Sequence, residues 1–186
     1  MRLVQSAIPG VVIVEPQVFS DERGWFAESW NEQKFADALR AIGQPAPRPF
    51  VQDNHSCSKA GVLRGLHYQL PPHAQGKLVR VVRGSAFDVA VDIRRASPTF
   101  GRWAGALLTG SNHLQLWIPE GFAHAFLALE DDTHFLYKTT DVYAKDCERS
   151  LLWSDPAIGI TWPQYPGAVA AKDAAASLLA RAEVFE

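Results

Sequence analysis

The sequence predicts a mainly β protein, a barrel or sandwich of short strands with a few peripheral helices. Short apolar and β-branched runs recur along the chain, and turns rich in glycine, proline and aspartate separate them. Helical spacing of apolar residues occurs in only two segments. Many short strands between such turns are typical of barrels and sandwiches. The 186 residues are expected to form a single domain, 1–186, because 47% of them are hydrophobic and can build a sizeable core.

Several β-rich runs are predicted to be strands. They are Val11–Val14, Lys77–Arg83, Ala86–Ile93, Trp103–Leu108, His113–Ile118, His124–Leu129 and Thr133–Thr140. The second and third of these runs meet at Arg83-Gly84-Ser85, which predicts a hairpin with a short glycine turn.

Two segments are predicted to be helical. The first is Asn31–Ile42, where apolar residues recur at helical spacing. Ser29 with Glu32 indicates a capping box at its start, and Gly43 indicates a C-terminal stop. The second segment, Ala170–Glu183, is rich in alanine and leucine and predicts a C-terminal helix.

Composition excludes several function classes. Eighteen Lys and Arg against 20 Asp and Glu leave a net charge of −2, and no basic tract favours a nucleic-acid partner. Cys57 and Cys147 have no Cys-x-x-Cys spacing and are expected to be thiols in a reducing compartment. The N-terminus lacks the apolar stretch of a signal peptide, and no run approaches a membrane span. The expectation is a soluble, cytoplasmic protein without a membrane partner.

The densest cluster of polar residues lies between Gln52 and Lys77. In a strand, one face of the first part of this cluster would carry Gln52, Asn54 and Ser56. His67 and Gln69 share a face of the next predicted strand, and Arg64 lies on the approach to it. Several polar side chains on one inner face predict a ligand cavity, because unpaired buried polar groups are costly.

Each candidate also has an ordinary structural interpretation. A lone strand histidine such as His67 is more often structural than catalytic, and a lysine at a strand start, as at Lys77, is usually solvated. Asp88 and Asp92 are expected to face turns or solvent, and Asp173 has the alternative role of capping the C-terminal helix. A second segment, Trp117–Phe126, favours a functional interpretation. Its proline and glycine turn the chain directly into His124, which aromatic residues flank.

A set of motifs in fixed order resembles the dTDP-4-dehydrorhamnose 3,5-epimerase family, from about Ile8 to Asp173. The motifs are Asp21–Glu28, Arg64–Gln69, Gln75–Lys77, Ser97–Gly101, Gly121–His124, Asp155-Pro156, Gly159–Pro163 and Lys172-Asp173. The resemblance implies a cupin-type jelly roll, a homodimer and epimerisation without a cofactor. The implied substrate is the sugar nucleotide dTDP-4-keto-6-deoxy-D-glucose, inverted at C3 and C5 on the way to dTDP-L-rhamnose or a related deoxysugar.

The resemblance also implies the site residues. His67 matches the family's base, Asp173 the aspartate that orients it, Tyr137 the acid, and Lys77 the lysine beside the C4 ketone. The implied nucleotide and sugar contacts are Arg23, Phe26, Glu28, Gln52, Asn54, Arg64, His124, Tyr143, Glu148 and Lys172. In similar proteins the segment Arg23–Glu28 serves the pocket of the neighbouring subunit.

These residue types suit the implied chemistry. A proton α to a ketone is removed readily only if the enolate oxygen is stabilised, which a cation such as Lys77 achieves in a dry cavity. Inversion needs a base on one face of the carbon, His67, and an acid on the other, Tyr137. Guanidinium groups such as Arg64 bind diphosphate, and thymine would stack on Tyr143 or Phe26.

Three alternatives remain open from the sequence. The first is a mono-epimerase that inverts only C3 or only C5, since such relatives share most of the motifs. The second is a metal-dependent cupin using His55, His67 and His124, although position 69 is glutamine where such sites usually carry a second histidine. The third is a non-catalytic sugar-nucleotide-binding module, whose signature would be loss of the base or the acid.

Overall fold

The computed structural model describes all 186 residues, which form two stacked β-sheets and a separate hairpin. The strands are β1 (Arg2–Gln5), β2 (Val12–Glu15), β3 (Val18–Asp21), β4 (Gly24–Ala27), β5 (Gln52–Ser58), β6 (Val62–Gln69), β7 (Lys77–Arg83), β8 (Ser85–Asp92), β9 (Trp103–Thr109), β10 (Gln115–Ile118), β11 (Phe122–Ala128), β12 (Thr133–Thr139), β13 (Glu148–Ser150) and β14 (Ala168–Val169). The first sheet has the order β1-β2-β10-β7-β12-β5. The second has the order β13-β6-β11-β8-β9, with β14 added beside β6, and β3 pairs only with β4.

The main core lies between the two sheets. Val79 and Phe135 of the first sheet pack in one buried cluster with Ala90 and Phe126 of the second. The rings of Phe126 and Phe135 are stacked with their centroids 4.0 Å apart. The predicted fold class, a mainly β jelly roll with peripheral helices, is confirmed.

The predicted hairpin at Gly84 is wrong. Strand β7 pairs with β10 and β12 in the first sheet, whereas β8 pairs with β9 and β11 in the second. Gly84 (φ 74°) therefore turns the chain from one sheet into the other, and a Cβ there would lie 2.5 Å from the Thr133 hydroxyl. A tight glycine turn between two apolar runs suits a corner between sheets as well as a hairpin, so the local pattern does not distinguish them.

The first helix, α1 (Glu32–Ala41), is confirmed within one residue at each end. Its N-cap is Asn31, whose side chain accepts a hydrogen bond from the Lys34 backbone, so the predicted Ser29–Glu32 capping box is wrong. Gly43 ends the helix as expected, since its amide donates to Arg40 O as in a Schellman motif. Helix α1 covers the outer face of the first sheet, where its buried residues pack against β2.

The predicted C-terminal helix, Ala170–Glu183, is also wrong. Only α2 (Ala171–Ala174) and a 3-10 turn at Leu179–Arg181 form there. Between them Ser177 bridges to Leu151, and the buried Asp155 carboxylate accepts a hydrogen bond from the Leu179 amide. These contacts hold the chain along the second sheet and override the helical propensity of alanine and leucine. Neither helix has the length and apolar character needed to cross a membrane.

Candidate active site

A cavity of about 680 Å³ lies between the sheets and brings together ten of the predicted site residues. They are Asn54, Arg64, His67, Lys77, His124, Tyr137, Tyr143, Glu148, Lys172 and Asp173. Strands of both sheets and helix α2 contribute these side chains, except Tyr143, which lies in the segment after β12. A cavity of this size with convergent polar groups is typical of small-molecule sites.

His67 and Asp173 form a hydrogen-bonded pair. His67 is an inward residue of β6, and its Nε2 lies 2.7 Å from Oδ1 of Asp173, which is 2% exposed. Burial raises the pKa of the Asp173 carboxyl, but hydrogen bonds from His67 and the Gly65 amide lower it more, so the pKa lies below its ordinary value. An ionised Asp173 holds the imidazole proton on Nε2 and leaves the Nδ1 lone pair free to accept a proton. The alternative of a helix cap is wrong, because Asp173 lies within α2 and bonds to His67 instead.

Lys77 is buried rather than solvated. It opens β7 with 7% of its surface exposed, and its Nζ donates a hydrogen bond to His67 O at 3.1 Å. Burial lowers the pKa of Lys77 to about 8, although the charges of Asp88 and Glu148 act in the opposite direction. The ammonium is thus the main form at neutral pH, in a place where water competes little for it.

Tyr137 faces the same cavity from the first sheet, opposite His67 of the second sheet. It lies on β12, where its register partners are Asn54 and Val79. Burial raises the pKa of its hydroxyl above the ordinary value, so the phenol is protonated at neutral pH. A protonated phenol has the form required of a general acid.

A second His–Asp pair was missed by the sequence analysis. Asp88 is fully buried, its Oδ1 lies 2.7 Å from Nε2 of His124, and its Oδ2 has no hydrogen-bond partner. Burial raises the pKa of Asp88 and lowers that of His124. The signal was available, because Ala86 and Ala90 share a strand face with Asp88 and mark that face as the interior.

The expectation that Asp88 faces a turn or solvent is therefore wrong, whereas Asp92 does face a turn, as expected. Asp92 is fully buried too, but its carboxylate accepts hydrogen bonds from Arg94, Ser97 and Thr99 outside the cavity. Asp92 thus organises the turn that follows β8.

The rim of the cavity (Arg64, Tyr143 and Lys172) is exposed. Tyr143 is 54% exposed, and its hydroxyl donates to Glu148 Oε2 at 3.1 Å. Lys172 Nζ donates to the other oxygen of Glu148 at 3.2 Å, and Arg64 Nε donates to the Ser58 hydroxyl. The rim therefore presents two cations and one aromatic ring to a ligand.

The three histidines of the metal-cupin alternative have separate partners. His55 lies 2.9 Å from His134, while His67 and His124 each bond to a different aspartate. No group of three His, Cys, Asp or Glu side chains converges as a metal site. This geometry offers no support to that alternative.

Comparison with known proteins agrees with the fold and the cavity. Residues 5–181 match the family model described as dTDP-4-dehydrorhamnose 3,5-epimerase. The chain belongs to this family. It is 55% identical to dTDP-4-dehydrorhamnose 3,5-epimerase of Salmonella typhimurium over 188 residues, covering 100% of both chains. It is 58% identical to the Shigella flexneri protein of that name, over 88% of this chain and 87% of that one.

Solved structures give the same result. An epimerase from Legionella pneumophila in complex with dTDP-4-keto-L-rhamnose has a TM-score of 0.90 and 45% identity, covering 98% of this chain and 94% of that one. A 3'-monoepimerase from Streptomyces bikiniensis in complex with dTDP-quinovose has a TM-score of 0.84 and 35% identity, covering 97% and 88%. The family resemblance seen in the sequence is confirmed.

Four residues that the epimerase family pattern assigns to the site lie outside the cavity. Arg23 and Phe26 belong to the β3–β4 hairpin, and Glu28 pairs with Lys34 of α1. Gln52 acts on its neighbours instead: its Nε2 donates to Asn54 Oδ1 and its Oε1 accepts from the Tyr143 amide. Sequence spacing alone does not reveal this bridging position.

Proposed function

We propose that this protein inverts C3 and C5 of dTDP-4-keto-6-deoxy-D-glucose and so forms dTDP-4-keto-L-rhamnose. The observation that carries the proposal is the cavity in which the His67–Asp173 pair, the buried Lys77 and the protonated Tyr137 face one another. Both carbons flank the C4 ketone, so one enolate-forming arrangement serves both. Family membership and the Legionella complex support this substrate.

The proposed chemistry is two proton transfers at each carbon. His67 removes the proton, and the electrons of the broken C–H bond move to an enolate whose oxygen at C4 is stabilised by Lys77. Tyr137 then gives its hydroxyl proton to the opposite face of the carbon; the phenolate regains a proton from solvent, and the His67 imidazolium releases one to solvent. Asp173 stabilises the imidazolium while His67 carries the proton.

The nucleotide is proposed to lie along the rim. Arg64 and Lys172 provide positive charge for the diphosphate, and Tyr143 provides a ring on which thymine stacks. This arrangement would place the sugar at the inner end of the cavity, beside His67 and Lys77.

The decisive experiment is incubation with dTDP-4-keto-6-deoxyglucose in deuterated water, with deuterium located by NMR. Deuterium at both C3 and C5, with formation of the L-rhamno product, supports the proposal. Deuterium and inversion at one carbon only would support the mono-epimerase alternative, the activity of the structurally similar Streptomyces 3'-monoepimerase. No exchange at either carbon would remove the epimerase assignment.

We also propose a homodimer in which Arg23–Glu28 of each copy completes the pocket of the other. In support, the β3–β4 hairpin pairs with neither sheet and exposes Trp25 and Phe26 by 61% and 68%. Large exposed apolar groups of this kind mark interaction surfaces.

Mixed dimers test this arrangement directly. Arg23→Ala and His67→Ala chains, each poorly active alone, should regain activity after unfolding and refolding together, because one pocket of the mixed dimer then has both residues. Absence of any recovery, with mixed dimers demonstrated by tagging, would contradict the shared pocket.

A reducing, cytoplasmic location is proposed as well. Cys57 and Cys147 are both free, and Cys57 is exposed. Fractionation of cells followed by thiol labelling should find the protein in the cytosol with both cysteines reactive after denaturation.

A further inference from the structure

Gln69 is a buried cavity residue that the proposed chemistry does not use. It follows His67 by two positions on β6, lines the cavity and is 4% exposed. Its side-chain amide makes three hydrogen bonds, all to the backbone. A buried amide with this many backbone partners fixes the segments that it joins.

Those partners lie on either side of Tyr143. Nε2 of Gln69 donates to Val142 O at 3.1 Å, and Oε1 accepts from the Ala144 amide at 2.8 Å. A further hydrogen bond joins Nε2 to His73 O at 2.6 Å, in the loop that leads to β7. The amide therefore grips the residue before Tyr143 and the residue after it.

The segment that carries Tyr143 has no strand ladder of its own. Strand β12 ends at Thr139, and the next regular element is the 3-10 turn that begins at Lys145. Tyr143 itself makes two hydrogen bonds: its backbone amide donates to the Gln52 side chain, and its hydroxyl donates to Glu148. Side chains, and not sheet pairing, therefore determine where the Tyr143 ring lies.

We propose that Gln69 is a positioning residue that fixes the Tyr143 ring relative to the strand carrying His67, and so sets affinity for the thymidine nucleotide. The inference rests on the proposed function and adds a residue to it. His67 and Gln69 are neighbours on one face of β6. This strand therefore positions both the His67 imidazole and, through Gln69, the Tyr143 ring on which the thymine is proposed to stack. A displaced platform weakens nucleotide binding while leaving the proton-transfer groups in place.

Only glutamine chemistry suits this position. The partners are two carbonyl oxygens and one N–H, which an amide matches with two donors and one acceptor. A glutamate would direct an oxygen at the carbonyls of His73 and Val142, and methionine would leave all three backbone groups unpaired. We therefore expect Gln69→Glu to be more harmful than Gln69→Met, although the volumes are similar.

A double-mutant cycle separates positioning from a general effect on folding. Wild type, Gln69→Met, Tyr143→Ala and the double variant are compared by calorimetric Kd for dTDP, KM, kcat and melting temperature. In the wild-type background, Gln69→Met is expected to raise the Kd for dTDP about tenfold, because two of the three lost hydrogen bonds are those that flank Tyr143, with kcat within about twofold. In the Tyr143→Ala background the same change should alter the Kd less than about twofold, because the group it positions is gone.

Gln115→Met is the matched control. Gln115 is 3% exposed and its Nε2 donates to a backbone carbonyl, that of Ser29, away from the cavity. It should lower the melting temperature without changing the Kd for dTDP. If Gln69→Met does not fold, Gln69→Asn replaces it in the cycle, since the shorter amide reaches fewer of the same partners and keeps the polarity.

The outcomes are distinct. Equal increases in Kd in both backgrounds, or a fall in kcat with unchanged Kd, would overturn the positioning role and leave the proposed function intact. Wild-type protein that binds no dTDP would overturn the proposed function and, with it, this inference.

Discussion

The inner end of the cavity (His67, Lys77 and Asp173) and its rim (Arg64, Tyr143 and Lys172) are built differently. Lys77 and Asp173 are 7% and 2% exposed, whereas Tyr143 is 54% exposed. Burial lowers the pKa of Lys77, whereas the hydrogen bond from His67 lowers that of Asp173 against the effect of burial, and strand or helix backbone holds both residues in place. The rim residues are proposed to act by charge and by stacking, which need no such shift. Proton transfer is therefore assigned to the dry part of the cavity and nucleotide recognition to its wet part.

The largest expected effect comes from removing the base at the inner end. His67→Ala should slow deuterium exchange by roughly 10²–10⁴-fold, the usual value of general-base catalysis. The Kd for dTDP should stay within a few-fold, because His67 is proposed to contact the sugar alone. If NMR shows exchange at the wild-type rate in this variant, proton transfer cannot be assigned to His67 at the inner end of the cavity.

Lys77→Ala should follow, with a loss in kcat on the order of 10²–10³-fold, as for one charge-stabilising donor. The loss should fall on kcat because enolate charge develops only towards the transition state. Steady-state kinetics measure kcat and KM separately. A change confined to KM would make Lys77 a ground-state binding group, like those proposed at the rim.

Tyr137→Phe should separate exchange from inversion. His67 still removes a proton and returns one on its own face, so solvent deuterium should enter the substrate faster than inverted sugar forms. The melting temperature and the Kd for dTDP should be almost unchanged, since the ring is retained. Equal rates of exchange and inversion in this variant would exclude Tyr137 as the acid.

The smallest effect is a shift in pH dependence. Lys77, with a pKa of about 8, must be protonated to act, so kcat/KM should fall as the pH rises through that value. The charges of Asp88 and Glu148 raise the pKa of Lys77, and Lys77 in turn lowers that of His124. Asp88→Asn removes a negative charge that raises the pKa of Lys77, so the alkaline limb should move to lower pH. If the alkaline limb of the kcat/KM profile stays at the same pH in the variant, Asp88 does not influence the pKa of Lys77.

The two ends of the cavity also differ in how far the sequence predicted them. The inner residues His67, Lys77 and Asp173 lie in motifs that the family resemblance identifies, and the structure brings them together. Asp88 was missed because a single acidic residue in a strand was assigned to solvent, although its apolar neighbours marked an interior face. At the rim, the bridging amide of Gln69 depends on a loop that meets β6 only in the folded chain.

Two of the errors in the fold have one physical origin. The corner at Gly84 and the extended segment around Ser177 are both decided by contacts distant in sequence. Local propensity favours a hairpin at the first and a helix at the second. Neither preference includes the partner strand, so the seven predicted runs do form strands but their neighbours were not predicted.

The corner at Gly84 has a consequence for how the chain folds during synthesis. Because β7 and β8 do not pair with each other, each can pair only with strands that are synthesised later. The same holds for β2, whose Val12 pairs with Trp117 of β10. Neither sheet can close until about three quarters of the chain has left the ribosome, because β12 begins at Thr133 and β13 at Glu148. Folding dominated by such distant pairings is slow. Unpaired strand edges of the nascent chain are exposed throughout that interval, so high-level expression is expected to depend on chaperones more than the stability of the finished fold suggests.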